Sequence, residues 1–482
     1  MKVARVVVVG QGHAPAMAAI ALRRAFAPVG VEVSWIETPG EAPGDGVLAG
    51  LPNLLAFHQL LGLDPAAVLR ETQGCFTMGR HYVGFAGEGR DYLHGFGPVG
   101  RPIAGLPFLP FWLKARAEGL PAGFGDFARE AVAARNGRIR IAGDGETTQG
   151  LHLDARGYAA LLRHQALAIG VTIRPDTAPR ALVAGGAVRR IGLSDDSWVD
   201  ADLVVDASED AAILSALGTG DPVDASLSGV GRMLVGSARP LRPLPLYSHV
   251  AAHRAGWAAL HPLRDRTGVA VAYDPALMSD EAAMAQLPVP LVRDPVFVPL
   301  IPRERRAPWI GNVVAIGAAA ARPDPLAALD LHRLQVALTH LISLFPVRAD
   351  AMPEAGIYND ELAGWSARMR DFAALPHALN GRQGEPFWDA ARARPISSDL
   401  DARIALFAAR GMVAAYHQDS FAEDEWETCL LGLGVMPESW DPQVDRVDEQ
   451  QVMADFRDQL AAIRADVLAM DSHEAALQRA MA

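Results

Sequence analysis

Residues 6–24 read VVVVGQGHAPAMAAIALRR, and this stretch constrains the fold more than any other. Four β-branched residues in a row, without alternation, mark a strand buried on both faces, as in a parallel sheet. Gly10 and Gly12 then supply a tight turn, and the Ala-rich segment beyond places Met17, Ile20, Ala21 and Leu22 at helical spacing. A strand that passes through Gly-x-Gly into a helix aims free backbone N–H groups at a dinucleotide pyrophosphate. The third glycine of that pattern is missing, however, and Pro15 stands in its place. Proline is accepted in a first helical turn, so the fold survives. It offers no N–H, and its ring fills space where a glycine lets helix and strand approach. The opening predicts a nucleotide-binding fold with impaired nucleotide contacts.

The rest of the chain extends this pattern. A second strand, VEVSWIE, ends in Glu37, at the distance from the glycines where an acid can receive a ribose hydroxyl. Thr38–Asn53 reads as loop, LLAFHQLLGLD as helix, and Gly79–Gly105 as a meandering antiparallel sheet. YAALLRHQALAIG is a helix stopped by Gly170, and VTIRP, VRRIGLS and WVDADLVVDAS are three strands, the last running into Asp206. A further sheet is expected over Gly229–Pro302. Then NVVAIGAAAARPDPLAALDLHRLQVALTHLISLF repeats the opening order of buried strand, turn at Gly317 and helix. From Asn359 onward the pattern is helical, with breaks at Pro386, Pro395, Pro437 and Pro442. These elements predict an α/β dinucleotide-binding domain with an interleaved antiparallel sheet over residues 1–350, and a helical lobe over 351–482. Two strand–glycine–helix units point to the flavin monooxygenase-like layout rather than to a simple nicotinamide dehydrogenase.

Composition narrows the function. A formal charge of −12 argues against nucleic acid and anionic membrane surfaces, both of which need a basic face. No apolar run reaches the roughly 20 residues of a membrane span. Cys75 and Cys429 read as reduced thiols of a cytoplasmic protein. No metal-ligating Cys/His cluster, G-x-S-x-G, H-E-x-x-H or P-loop occurs.

Several segments carry a resemblance. LPNLLAFHQLLGLDPAAVLRET, RDRTGVAVAYDPALMSDEAA, NVVAIG with LHRLQVALTHLISLFP, YNDELAGWSARMRDFAALPHAL, EPFWDAAR and DEWETCLLGLGVMPESWDP resemble, in order and spacing, segments of the flavin-dependent tryptophan halogenase family. The resemblance implies reduced FAD reacting with oxygen and halide, and hypohalous acid travelling through a tunnel to an indole-like ring. It also implies a lysine that handles the halogen and a supporting glutamate.

This chain departs from the family at those positions. The family's F-K-L-G reads Phe76-Thr77-Met78-Gly79, so Thr77 replaces the lysine, and a hydroxyl cannot form a chloramine. The stretch similar to EPLESTSI reads DPLAALDL, so Ala327 replaces the glutamate and Ala328 the serine after it. Lys114 and Asp330 are expected to face solvent rather than substitute for them. W-x-W-x-I-P retains Trp257 and Pro262 but carries Ala259 and His261, the latter expected to be a packed, hydrogen-bonded histidine. In the flavin loops, Leu48 takes an acid's place, Glu209 replaces the glycine of DASG, and Ala321-Arg322 stands where the family has Gly-Phe. The vestigial cofactor contacts are Gly10, Gly12, Glu37, Asp206 and Gly317, with FAD expected to bind weakly or not at all. The expected role is a non-catalytic partner or regulatory subunit of an active halogenase homologue, or a homodimer. The alternatives are an FAD-dependent halogenase or monooxygenase with relocated catalytic groups, and a small-molecule-binding protein.

Overall fold

The computed structural model describes residues 2–40, 46–141, 148–218 and 222–482. The contacts divide them into two compact units that interleave along the chain. The first comprises residues 1–74, 153–226 and 300–367, and the second residues 75–152, 227–299 and 368–482. The cut lies inside the long helix Glu354–Ala378, and the helical C-terminal region from Arg368 onward groups with the antiparallel sheet.

The first unit is built on a six-stranded sheet in the order Trp309–Ile310, Val313–Ala315, Leu203–Ala207, Arg5–Gly10, Glu32–Glu37, Thr172–Pro175. All neighbours are parallel except the Trp309–Ile310 edge. Val6, Val7, Val8 and Val9 are at most 1% exposed, as expected of a strand covered on both faces. The helix His13–Phe26 follows, and small alanines let its face from Pro15 to Leu22 bury completely. Gly10 is required where it stands: a Cβ there would lie 2.5 Å from the Ala207 carbonyl oxygen of the neighbouring strand. WVDADLVVDAS is not one strand but two, Trp198–Asp200 and Leu203–Ala207, in different sheets. Asp202 makes the switch, its carboxylate accepting the Ala4 and Arg5 amides at 3.0 and 2.9 Å. The loop expected over Thr38–Asn53 contains a strand, Val47–Gly50, and its residues 41–45 lie outside the described residues.

The second unit holds a seven-stranded sheet ordered Val296–Pro299, Arg232–Ala238, Thr267–Tyr273, Gly256–Pro262, Ser248–His253, Gly79–Val83, Asp91–Gly95. Only the Ser248–His253 and Gly79–Val83 pair is parallel. Helices cover it through aromatic contacts. Trp388, fully buried, donates its indole N–H to the His253 carbonyl at 2.7 Å and meets Phe85 edge-on. Gly432 allows close approach, since a Cβ there would strike the Tyr92 ring. Phe372 stacks on Phe421 at 3.7 Å, and the buried Arg403 lies over Trp426 at 3.8 Å while its guanidinium holds Asp419 at 2.7 Å. Among the described residues no helix is long and apolar enough to cross a membrane.

Candidate nucleotide groove and the halogenation positions

In the first unit, the strand Arg5–Gly10 separates Glu32–Glu37 on one side from Leu203–Ala207 on the other. The chain winds outward in opposite directions from this point, and ligands of open α/β sheets bind outside the strand ends there. A cavity of about 1100 Å³ occupies that position, lined among others by Gln11, Gly12, Glu37, Leu48, Arg163 and Glu209. Gly12, at φ 78°, turns the chain into the helix, whose start has no side-chain cap and no acidic residue. The backbone N–H groups of His13 and Ala14 are therefore available to an anion, while Pro15 contributes none. Burial lowers the His13 imidazole to about 4, so it adds no positive charge near neutrality.

Glu37 reaches the cavity from the end of its strand. Arg163 holds it with Nε at 2.9 and 3.1 Å from the two oxygens and Nη2 at 3.0 Å from Oε2. A carboxylate offers about four lone-pair sites, so one remains for a hydroxyl. Asp206, fully buried, lies beside Val9 in register, and both its oxygens are engaged by the chain itself. Oδ1 accepts the Ser208 amide and hydroxyl at 3.0 and 2.6 Å, and Oδ2 accepts the Ile213 and Leu214 amides, each at 2.9 Å. Asp206 thus organises the turn that carries Glu209. Gly317, at φ 56°, packs so closely on the first helix that an added Cβ would lie 3.0 Å from Ala14 Cβ.

Glu209 and Arg322, separate departures in the sequence, are partners in the structure. The Arg322 guanidinium bonds the Glu209 carboxylate Oε2 and, at 2.9 Å, the Glu209 carbonyl. Arg303 donates to the same carbonyl at 2.8 Å, and Arg303 and Arg322 face each other on paired antiparallel strands. Glu209 is the end of this clasp that faces the cavity. Sequence reasoning missed the pairing; the joint change of a small and an apolar position to opposite charges was its signal.

The positions that the resemblance links to halogenation fall in both units. Ala327, buried in the first unit, closes a single 3₁₀ turn whose Asp324 side chain accepts the Leu326 amide at 3.1 Å. Asp330 is an exposed residue at the start of the next helix. In the second unit Thr77 is 2% exposed, and its hydroxyl shares its proton between the Gly79 and Leu246 carbonyls at 3.2 and 3.4 Å. Lys2 and Lys114 are the only lysines of the chain. Lys2 is exposed, and Lys114 pairs with Asp445 at 2.9 Å.

The altered W-x-W-x-I-P strand contributes a polar chain that the sequence did not reveal. His261 Nδ1 lies 3.0 Å from the Ser248 hydroxyl, which lies 2.8 Å from His152 Nε2. Cys75, 4.0 Å from His152 through its sulfur, gives its thiol proton to the Pro262 carbonyl at 3.1 Å. Burial lowers His261 to about 4 and, with the nearby His261 and Arg80, holds His152 well below the usual histidine range. Burial also pushes the Cys75 thiol up. All three are neutral near pH 7, which fits a packed network. Among the described residues no group of His, Cys, Asp and Glu is arranged to hold a metal ion.

The groove fits one end of FAD better than the other. Glu37, the helix start and the cavity volume suit an adenosine end. Pro15 offers no N–H to a pyrophosphate, and the Glu209 carboxylate at the cavity wall is paired with Arg322.

The comparisons agree on the family. The tryptophan halogenase profile matches residues 5–449. A tryptophan 6-halogenase, ThaL of Streptomyces albogriseolus, is 24% identical over 90% of both chains. The flavin-dependent halogenase Xcc4156 of Xanthomonas campestris superposes with a TM-score of 0.94 at 27% identity, covering 99% of this chain and 98% of its own. BrvH, a flavin-dependent halogenase of Brevundimonas sp. BAL3, gives 0.92 at 28% identity over 99% of each. A single profile spanning both interleaved units, together with full-length superposition, leads to one conclusion: this chain belongs to the tryptophan halogenase family.

Proposed function

We propose that the chain is a non-catalytic member of its family that works in association with another chain, an active halogenase homologue or a second copy, and that it holds FAD weakly or not at all. The observation that carries this reading is the state of Thr77, a sealed hydroxyl bonded to two carbonyls in a chain with no lysine left to replace it. Ala327 removes the carboxylate as well, and residues that act as a unit lose most activity when either is gone.

The test has two arms. With a flavin reductase, FAD, oxygen and chloride or bromide, the chain alone is expected to leave tryptophan, indole and a panel of aromatic compounds unhalogenated. FAD titration is expected to give a dissociation constant above about 10 μM, because two or three lost contacts of about 1–2 kcal/mol act together. Regiospecific halogenation by the unmodified chain, or stoichiometric flavin retained through gel filtration, refutes the reading. Co-expression with a halogenase encoded nearby, followed by light scattering, tests the partner. A stable complex should bury about 2,000 Å² or more.

A second reading, an FAD-dependent halogenase or monooxygenase with relocated groups, draws on the polar chain His261–Ser248–His152. It requires halogenated or hydroxylated product that disappears in Ser248→Ala.

A further inference from the structure

We propose that the second unit binds a small molecule that brings an acidic hydroxyl of the phenol class, and that His261 Nε2, kept unprotonated by Ser248 and His152, accepts that hydroxyl. The site is independent of whether the chain holds flavin.

The hydrogen-bond chain allows one arrangement of protons. His152 Nε2 lies 2.8 Å from the Ser248 hydroxyl, and His152 also bonds the Pro262 carbonyl. That second bond belongs to Nδ1, the nitrogen on the side of Cys75, whose sulfur is 3.1 Å from the same carbonyl. A carbonyl only accepts, so Nδ1 carries the His152 proton. Nε2 then has none, because burial, followed by His261 and Arg80, keeps the ring neutral near pH 7. Ser248 therefore gives its single proton to His152 Nε2 and accepts from His261 Nδ1, 3.0 Å away. His261 is neutral as well, so with Nδ1 protonated its Nε2 keeps a lone pair.

The lone pair is presented rather than sealed. Cys75, His152 and Ser248 are at most 1% exposed, whereas His261 is only partly buried. No hydrogen bond engages its Nε2 among the described residues. On the neighbouring strand the residue opposite His261 is Gly268, so no side chain covers the ring from that position.

Charge decides what the site can hold. A carboxylate or phosphate has no proton to give an unprotonated nitrogen near neutrality, so the ligand must bring its own O–H. Arg80, 2% exposed and beside Ser248 in register, adds a positive charge that helps burial to lower His261. A nearby cation favours a hydroxyl that gains negative charge as its proton leans toward Nε2, which a phenol does far better than an aliphatic alcohol.

The experiment is fluorine NMR titration of the purified full chain with para-fluorophenol, its methyl ether para-fluoroanisole, and para-fluorobenzoate at neutral pH. The phenol is expected to bind about fivefold or more tighter than the ether and the benzoate. His261→Ile, with an unchanged circular dichroism spectrum, should bind phenol and ether within about twofold of each other. Nitrogen NMR of the chain carrying labelled histidine, with the His261 signals identified by their loss in His261→Ile, should show His261 protonated at Nδ1 alone. Ser248→Ala removes the acceptor for that proton, so it should move the proton to Nε2 and weaken the phenol preference. His261 protonated at Nε2 in the unmodified chain overturns the proposal. So does ether or benzoate binding as tightly as the phenol, no phenol binding up to millimolar concentration, or a phenol preference that survives in folded His261→Ile. Should His261→Ile fail to fold, the ligand comparison and the spectrum of the unmodified chain, read against Ser248→Ala, still decide.

Discussion

Replacing Asp206 by alanine should destabilise the first unit even when no nucleotide is present. Four hydrogen bonds converge on its carboxylate, three from backbone amides and one from the Ser208 hydroxyl. Ile213 and Leu214 are at most 1% exposed, so water cannot replace the lost acceptor. Each buried donor left unmade costs about 1–3 kcal/mol, and three such amides give roughly 3–6 kcal/mol after some relaxation. Part of this is offset, because burial raises the Asp206 carboxyl above its ordinary range and its removal relieves a buried charge. A net loss of about 2–4 kcal/mol remains, which lowers Tm by roughly 5–10 °C in a unit of this size. Asp206→Asn should shift in the same direction, since its amide cannot accept on both sides of the turn. Asp200→Ala, a control on the exposed ion pair with Arg5, should stay within about 0.5 kcal/mol. The assay is thermal unfolding followed by circular dichroism, without added nucleotide. If Asp206→Ala melts within a degree or two of the unmodified chain, the carboxylate does not hold the turn.

Three further outcomes are expected. Thr77→Lys/Ala327→Glu should still give no halogenated product by mass spectrometry if, as proposed, flavin is held weakly or not at all; product from this variant alone would place the defect solely at those positions. Glu427 is buried, and burial followed by the nearby Glu423 and Asp424 raises its carboxyl to about 8. Its folded value lies above the unfolded one near 4.3, so stability is complete below about pH 4 and falls as pH rises toward 8. Glu427→Gln should match the unmodified chain in urea unfolding at pH 4 and exceed it by a few kcal/mol near pH 8.5, on the order of 1.4 kcal/mol for each pH unit that separates the folded from the unfolded value; equal stability at both pH values contradicts this. Arg403→Leu should cost about 3–5 kcal/mol, since it leaves Asp419 without its buried cation, and a change under about 1 kcal/mol would show the pair to be dispensable.

Local spacing in the sequence was enough to read one strand–turn–helix unit. Four buried valines, the Gly10 and Gly12 turn and an alanine-rich helix specify it, because backbone conformation and burial period are set by neighbours a few residues apart. The same logic placed Glu37 at a strand end, whereas Thr77 and Ala327 were read as replacements only through the family resemblance. Folding alone brought together what lies far apart in the chain. Glu209 and Arg322, 113 residues apart, became one ion pair, and Arg163 met Glu37 across 126 residues. It also split WVDADLVVDAS between two sheets and assigned the helices after Arg368 to the antiparallel sheet. None of these follows from periodicity, because a charged side chain acquires its partner, and an apolar face its cover, only when distant segments pack together.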